Sequence, residues 1–324
     1  DGSIASITDK EARREVLDGG PGNTLLLFDD RGDAWDFTGD YEHRLAGRMS
    51  LVSSEPSLGG PHAEVRQTYT HGSSTMVQRV RLTAGSRRID FLTHMDWQET
   101  GMMLRAVFPL NVRSPEATCE IQFGHVRRPT HRSNTWDKGK YEIPAQKWID
   151  VSQRNYGVAL LKENKYGHSV RGNVMDINLL RSPTYPDPTA DRGRHEFTYA
   201  LFPHSGDCIA GGVIRAAYEM NYPLTGIPAT PGKGELPPTF SFASVDRDNI
   251  IVEAVKKAED EGSTTVRLYE AAGTDGEVCV AFGVPVRSAR LSDLLEWSSE
   301  PLPVHDNSVR VRFKPFEILT LIVS

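Results

Sequence analysis

Short apolar and β-branched runs recur along the chain between glycine and proline punctuation. They cover Asn23–Phe28, Glu64–Tyr69, Met76–Leu82, Arg88–Phe91, Met103–Pro109 and Tyr156–Leu161. Further on come Val174–Leu180, His195–Phe202, Thr264–Glu270, Glu277–Phe282 and Ser308–Val311. Short strands spaced in this way between turn signals predict an all-β architecture of the sandwich or barrel kind. Arg79-Val80-Arg81-Leu82 and Val309-Arg310-Val311-Arg312-Phe313 alternate strictly, which predicts one buried and one wetted face on each strand. Helical patterning is confined to Val213–Asn221, closed by Pro223, and to a shorter stretch at Ala289–Trp297.

The segment 226–238 carries Gly226, Pro228, Pro231, Gly232, Gly234, Pro237 and Pro238, a density that suits neither helix nor strand. It divides the chain into a large β unit over 1–225 and a small β domain over 239–324. At the other end, Asp1-Gly2 is the dipeptide of a type I′ hairpin turn, and Ser3–Ile7 reads as the outgoing strand. The large unit is therefore expected to lack its first strand.

Composition narrows the class. The 324 residues are 38% hydrophobic and 25% charged, which supports a folded chain with a real core rather than a disordered one. A net charge of −6 argues against a nucleic-acid partner, which a basic excess would serve better. No apolar run approaches the roughly 18–20 residues of a membrane span, and no signal-peptide pattern opens the sequence. Cys119, Cys208 and Cys279 are far apart, form no C-x-x-C pair and suggest no disulfide framework. That usage points to a reducing, cytoplasmic setting.

Familiar catalytic motifs are missing: no G-x-S-x-G elbow, phosphate loop, dinucleotide fingerprint or H-E-x-x-H occurs. His94 and Asp96 would share one face of a strand, but two ligands do not make a zinc site and no third is nominated. Asp29, Asp30, Asp33, Asp36, Asp187 and Asp191 supply carboxylates, yet nothing pairs two of them across a sugar. Asp29-Asp30-Arg31-Gly32-Asp33 reads as turn formers. In Asp33-Ala34-Trp35-Asp36 the indole offers either an aromatic face flanked by acceptors, suited to a sugar, or a buried anchor. Lys165-Tyr166-Gly167-His168 falls between strand runs and reads as a loop. Arg181-Ser182-Pro183-Thr184-Tyr185-Pro186-Asp187-Pro188 follows a strand, and its prolines stiffen a loop on which binding side chains can collect.

These loops carry a resemblance. Phe123-Gly124-His125-Val126-Arg127-Arg128-Pro129-Thr130-His131, Trp136-Asp137, Tyr156-Gly157-Val158-Ala159-Leu160-Leu161, Lys165-Tyr166-Gly167 and Leu180–Pro188 resemble the C-terminal half of glycoside hydrolase family 38 α-mannosidases. The match is to the cytosolic, vacuolar and bacterial type. Asp33–Asp36, Asp96-Trp97, His195–Ala200, Asn221–Leu224, Lys257–Asp260, Arg267–Glu270 and Lys314–Glu317 extend it over nearly the whole chain.

The resemblance implies a large galactose-mutarotase-like β-sandwich followed by a smaller C-terminal β-sandwich. It also implies that the zinc, the nucleophile and the acid/base lie in an N-terminal catalytic domain outside this sequence. No cofactor or catalytic residue is then expected here. The expected partners are that catalytic half, mannose-containing glycans and, through self-association, further copies. Residues expected at the substrate rim are Arg181, Tyr185 and Asp187, with Tyr166, His168, Asp33, Trp35 and Asp36. Two other readings compete. A free-standing carbohydrate-binding module would need solvent-facing aromatics, for which Trp35, Trp97, Trp136 and Trp148 are candidates. An aldose epimerase would need a His acid and a Glu base across a ring, but His195 and Glu196 are adjacent on a strand and point to opposite faces.

Overall fold

The computed structural model describes residues 1–230, 232, 234, 237–259 and 262–324. Part of the Pro/Gly segment (Pro231, Lys233, Glu235 and Leu236), together with Asp260 of the Lys257–Asp260 stretch and Glu261, lies outside the described residues. The chain forms two compact units, one of Asp1–Glu120 with Val126–Leu224, the other of Ile121–His125 with Thr225–Ser324.

The larger unit is a sandwich of two antiparallel sheets. One has nine strands in the order Gly124–Pro129, Glu116–Ile121, Trp148–Gln153, Tyr156–Lys162, Gly193–Ser205, Ile89–Trp97, Ser74–Thr83, His62–His71 and Ser50–Gly59. The other has six: Ile143–Pro144, Gly167–Arg171, Val174–Arg181, Met102–Pro109, Thr24–Asp29 and Leu45–Arg48. Every apolar run read from the sequence lies within a strand or overlaps one. The main core fills the space between the sheets, with Leu27, Leu104, Phe108, Phe91, Leu160 and Tyr199 fully buried. Alternation holds over Ser74–Gln78 but fades across Arg79–Leu82, where Arg79, Val80 and Arg81 are all half-buried and Leu82 is half exposed near the end of the strand.

A polar ring crosses the core. Asn23 Nδ2 donates to Gln78 Oε1 (2.7 Å), Gln78 Nε2 donates to Thr93 Oγ1 (2.9 Å) and Tyr199 Oη (3.0 Å), and Tyr199 Oη donates to Asn23 Oδ1 (2.5 Å). All four side chains are buried and mutually satisfied, so the ring fixes the facing sheets in one alignment. Helix Val213–Asn221 forms where its pattern predicts it and packs Val213, Ala217 and Met220 against Trp148 and Leu161 on the outer face of the nine-stranded sheet.

The smaller unit pairs a three-stranded sheet (Ala243–Val245, Gly276–Phe282, Ser308–Phe313) with a five-stranded one (Ile250–Lys257, Thr264–Glu270, Ile318–Val323, Ala289–Ser292, Ser299–Leu302). Val309, Val311 and Phe313 are buried and Arg310 and Arg312 exposed, as their alternation requires. Glu270 ties the loops at one end. Its carboxylate accepts from the N–H groups of Ala272, Gly273, Thr274 and Phe316 (2.7–3.1 Å) and from Asn249 Nδ2 (2.8 Å). Gly273 sits at φ +78°, and a Cβ there would meet Phe316 Cζ at 2.8 Å, so both backbone and space demand glycine.

Three local expectations are overturned. Ser3–Ile7 is not a strand: only Ile4 pairs, in a single bridge to Gly22, and the first strand is Thr8–Asp9. Asp1 Oδ1 instead takes the Ser3 N–H (3.1 Å), and the Gly2 carbonyl accepts from Gln67 and Tyr69. Ala289–Trp297 is not helical, because Ala289–Ser292 joins a sheet and Asp293 captures the next N–H groups into a hairpin loop. Gly167 and His168, expected in a loop, instead open the strand Gly167–Arg171, which finds backbone partners in Ile143–Pro144 on one side and Val174–Arg181 on the other.

Candidate functional site

The two loops singled out in the sequence meet at one end of the six-stranded sheet. Strand Thr24–Asp29 runs into the loop at Asp30, and strand Val174–Arg181 ends at Arg181. The Arg181 guanidinium forms a forked pair with Asp30, Nε to Oδ2 at 2.7 Å and Nη2 to Oδ1 at 3.1 Å. Nη2 also donates to the carbonyls of Asp33 (3.0 Å) and Asp36 (3.3 Å). The cation lies over the Phe37 ring, 4.4 Å from its centroid. Asp30 is buried, so this is a desolvated, geometrically matched pair rather than a solvated one. Arg181, expected at the substrate rim, spends its Nε and Nη2 donors on the protein's own loop.

Asp33 organises the turn that follows, its Oδ1 accepting from the N–H groups of Trp35 and Asp36 (both 2.9 Å). Asp36 Oδ1 accepts from the Phe37 N–H (2.7 Å) and the Tyr141 hydroxyl (3.1 Å). Burial and the bond to Asp36 raise the Tyr141 hydroxyl above its ordinary pKa, keeping it a donor. Gly32 admits the tight return of the chain, since a Cβ there would fall 2.1 Å from the Asp36 carbonyl. The second loop joins through the Ala34 N–H to the Tyr185 carbonyl (3.0 Å). The Trp35 and Tyr185 rings then lie 6.0 Å apart at 55°. Trp35 is 72% and Tyr185 65% exposed, so the indole is no buried anchor.

Below this surface is a second layer. Phe37 packs edge-on against Tyr41 (5.5 Å) and Tyr141 (5.6 Å). Tyr41 covers Arg105, which is fully buried and held by Asp176 (Nε to Oδ1, 2.8 Å) and Glu142 (Nη2 to Oε2, 2.8 Å). Burial opposes the Arg105 charge, but the two carboxylates outweigh it and keep the guanidinium cationic. Glu42 binds Arg132 through both oxygens (2.9 and 2.6 Å) and Arg171 (2.9 Å). Arg44 spans Asp40 and the Asp29 carbonyl, and with the Thr38 hydroxyl it draws the Asp40 carboxyl down to about 2. Phe37, Tyr141, Glu42 and the supporting arginines went unnoticed in the sequence, where only the aromatic after Asp33–Asp36 could have drawn attention.

Of the other rim candidates, Asp187 adjoins the Trp35–Tyr185 pair, whereas Tyr166 and His168 do not join it. Asp187 is exposed beside Tyr185 and spends Oδ1 on Thr189, whose N–H and hydroxyl lower its pKa. Tyr166 is half exposed, and among the described residues no hydrogen bond or ring contact joins its side chain to the Arg181 cluster. His168 is fully buried, Nδ1 facing the Asp176 carbonyl at 3.1 Å, and has no surface to offer a rim. Trp97 and Trp148 are buried too, which removes two of the four aromatics a sugar-binding face was expected to use. His94 is exposed and faces Glu196 at 3.7 Å, and among the described residues no three His, Cys, Asp or Glu side chains gather to hold a metal. These residues do not fit the zinc that the family resemblance implies for the whole enzyme.

Residues 1–189 match the family model described as glycosyl hydrolases family 38 C-terminal domain, and residues 249–321 the one described as glycosyl hydrolases family 38 C-terminal beta sandwich domain. The chain is 39% identical over 322 residues to alpha-mannosidase 2C1 of Mus musculus, an alignment covering 96% of this chain and 31% of that protein. It is 35% identical to alpha-mannosidase G of Dictyostelium discoideum, with 98% and 31% covered. It thus spans about a third of the length of the curated relatives it matches. Among solved structures, an alpha-mannosidase from Enterococcus faecalis superposes with a TM-score of 0.81 at 18% identity, covering 98% of this chain and 40% of that one, a likeness of fold.

Proposed function

Since the chain belongs to glycosyl hydrolase family 38 and corresponds to its C-terminal β region, we propose that it is the non-hydrolytic β portion of an α-mannosidase. The intact enzyme removes terminal α-mannosyl residues. Its zinc and reactive carboxylates belong to the part of the relatives' length that this chain does not span. The β portion shapes and closes the sugar site and supports assembly, in the cytoplasm. Rim contacts come from the loop pair carrying Trp35 and Tyr185, with Asp33, Asp36 and Asp187 as acceptors beside them.

One observation supports this above the rest: family models for C-terminal domains match both ends of the chain, while the relatives are about three times as long. Exposed Trp35 and Tyr185 also suit a carbohydrate-binding module acting alone, and the same experiment separates the two. The intact protein is expected to cleave an aryl α-mannoside. The purified chain is expected to show no turnover with or without added zinc. Turnover by the chain alone overturns the reading, and saturable mannose binding by the chain without any activity in the intact protein favours the module.

A further inference from the structure

Trp35, Trp136 and Trp297 all stand in solvent, the last two at 82% exposure. Only Trp35 has a second aromatic ring against it among the described residues. It is also the one on a segment braced so heavily. Arg181 clamps Asp30 and two carbonyls, Arg44 clamps Asp40 and the Asp29 carbonyl, and Arg132 and Arg171 clamp Glu42. A loop that merely covers a sheet has no need of this bracing, and the ordering of an exposed aromatic is already complete before any ligand arrives.

We propose that Trp35 and Tyr185 form a notch for the apolar face of a pyranose ring, and that Arg181 is a positioning residue which sets the notch without touching the sugar. The tilt of 55° between the rings presents two aromatic faces to one ligand rather than a flat stack. Two acceptors lie two residues from the rings along the chain: Asp33 Oδ1 takes the Trp35 and Asp36 N–H groups, Asp187 Oδ1 takes the Thr189 N–H and hydroxyl, and among the described residues neither Oδ2 is engaged, which leaves it for sugar hydroxyls. Apolar C–H faces with hydroxyls at the rim are the chemistry such a pairing of rings and carboxylates recognises. That the sugar is a mannoside rests on the reading given under Proposed function; the notch itself does not.

The test uses the intact protein. Its tryptophan fluorescence is titrated with a non-hydrolysable thio-linked α-mannobiose, and with the glucose and galactose analogues. Steady-state kinetics on a mannose oligosaccharide run in parallel. Trp35→Ala is expected to weaken binding and raise KM about tenfold, with the loss carried by KM rather than kcat and no fall in the thermal midpoint. Arg181→Lys keeps the charge but cannot fork onto Asp30. It is expected to raise KM similarly and to lose the near-UV circular dichroism band that Trp35→Ala also loses. If the wild type hydrolyses no α-mannoside yet a pyranoside still quenches Trp35, the notch stands and the mannosidase reading falls. Unchanged affinity in Trp35→Ala overturns the notch. So does a lower thermal midpoint with unchanged KM, which would make Trp35 a protein-packing residue.

Discussion

Lys162 offers the sharpest test of the energetics. It ends the strand Tyr156–Lys162 with its side chain turned into the sandwich, fully buried, and Nζ has no hydrogen-bond partner. Burial draws the ammonium down to about 7, with Lys147 adding to the effect and Cys119 and Glu120 opposing it. His168 faces it from the other sheet with Nε2 likewise unpartnered. Against an ordinary value of 10.5, holding the amine near 7 costs on the order of 4 kcal/mol at neutral pH, from about 1.4 kcal/mol per tenfold change in proton affinity. The unfolded chain binds this proton more tightly. The cost is therefore complete below pH 7 and is relieved as pH climbs toward 10.5. Lys162→Met keeps the length and removes the charge. It is expected to stabilise the larger unit by about 2–4 kcal/mol at pH 7, and by roughly half as much at pH 9. Urea unfolding of both proteins at pH 6, 7, 8 and 9, followed through tryptophan fluorescence, measures the difference. A gain independent of pH, or a loss at pH 7, refutes the reasoning.

Two further stability predictions follow from the same accounting of buried charge. Arg105→Ala leaves Asp176 and Glu142 buried without their cation and is expected to cost about 3–5 kcal/mol in urea unfolding, with part recovered by adding Asp176→Asn and Glu142→Gln. In the smaller unit, burial alone would raise the Glu270 pKa, but the N–H donors of Phe316, Ala272 and Thr274 and the Asn249 amide hold it below the usual range. Its stabilisation is present above the ordinary glutamate value and lost as pH falls through the lowered one. Glu270→Gln is therefore expected to unfold at lower urea at pH 7 and to flatten the acid side of that unit's stability curve, as a pH series of melts would show.

Most strands were legible as apolar, β-branched runs set between glycine and proline turns, even where, as in Tyr156–Lys162, both faces are buried. Some that escaped notice offer no such run. Ser50–Gly59 is an edge strand exposed along most of its length, so it has no apolar face to read. Ala289–Trp297 misled for the opposite reason: Leu291, Leu294 and Leu295 fall at helical spacing, but Asp293 binds the N–H groups of Leu295, Trp297 and Ser298 and closes a hairpin. At the site, each loop was visible from its own Asp, Pro and aromatic content. Their meeting was not, because Asp30 and Arg181 are 151 residues apart and only the completed six-stranded sheet brings their strand ends together. His168 shows the converse limit. Next to glycine and tyrosine in a polar stretch it looks like a loop residue, and only the pairing of Gly167–Arg171 with Val174–Arg181 turns it inward.

The placing of the guanidinium groups says what the loop is for. A buried ion pair is a poor source of stability, since desolvation offsets most of its attraction, and a well-packed apolar set of the same volume serves as well. The sandwich has such a core without them. Yet Arg105 sits fully buried beneath Tyr41, Tyr41 beneath Phe37, and Phe37 beneath Arg181, in a column that ends at the exposed Trp35 turn. What a forked, desolvated pair supplies that leucine does not is a single orientation. Stacking two such pairs, those of Arg105 and Arg181, under one short segment therefore trades stability for geometry where these sheet-end loops meet. That trade is explained by a surface whose ring positions must be set before a ligand meets them.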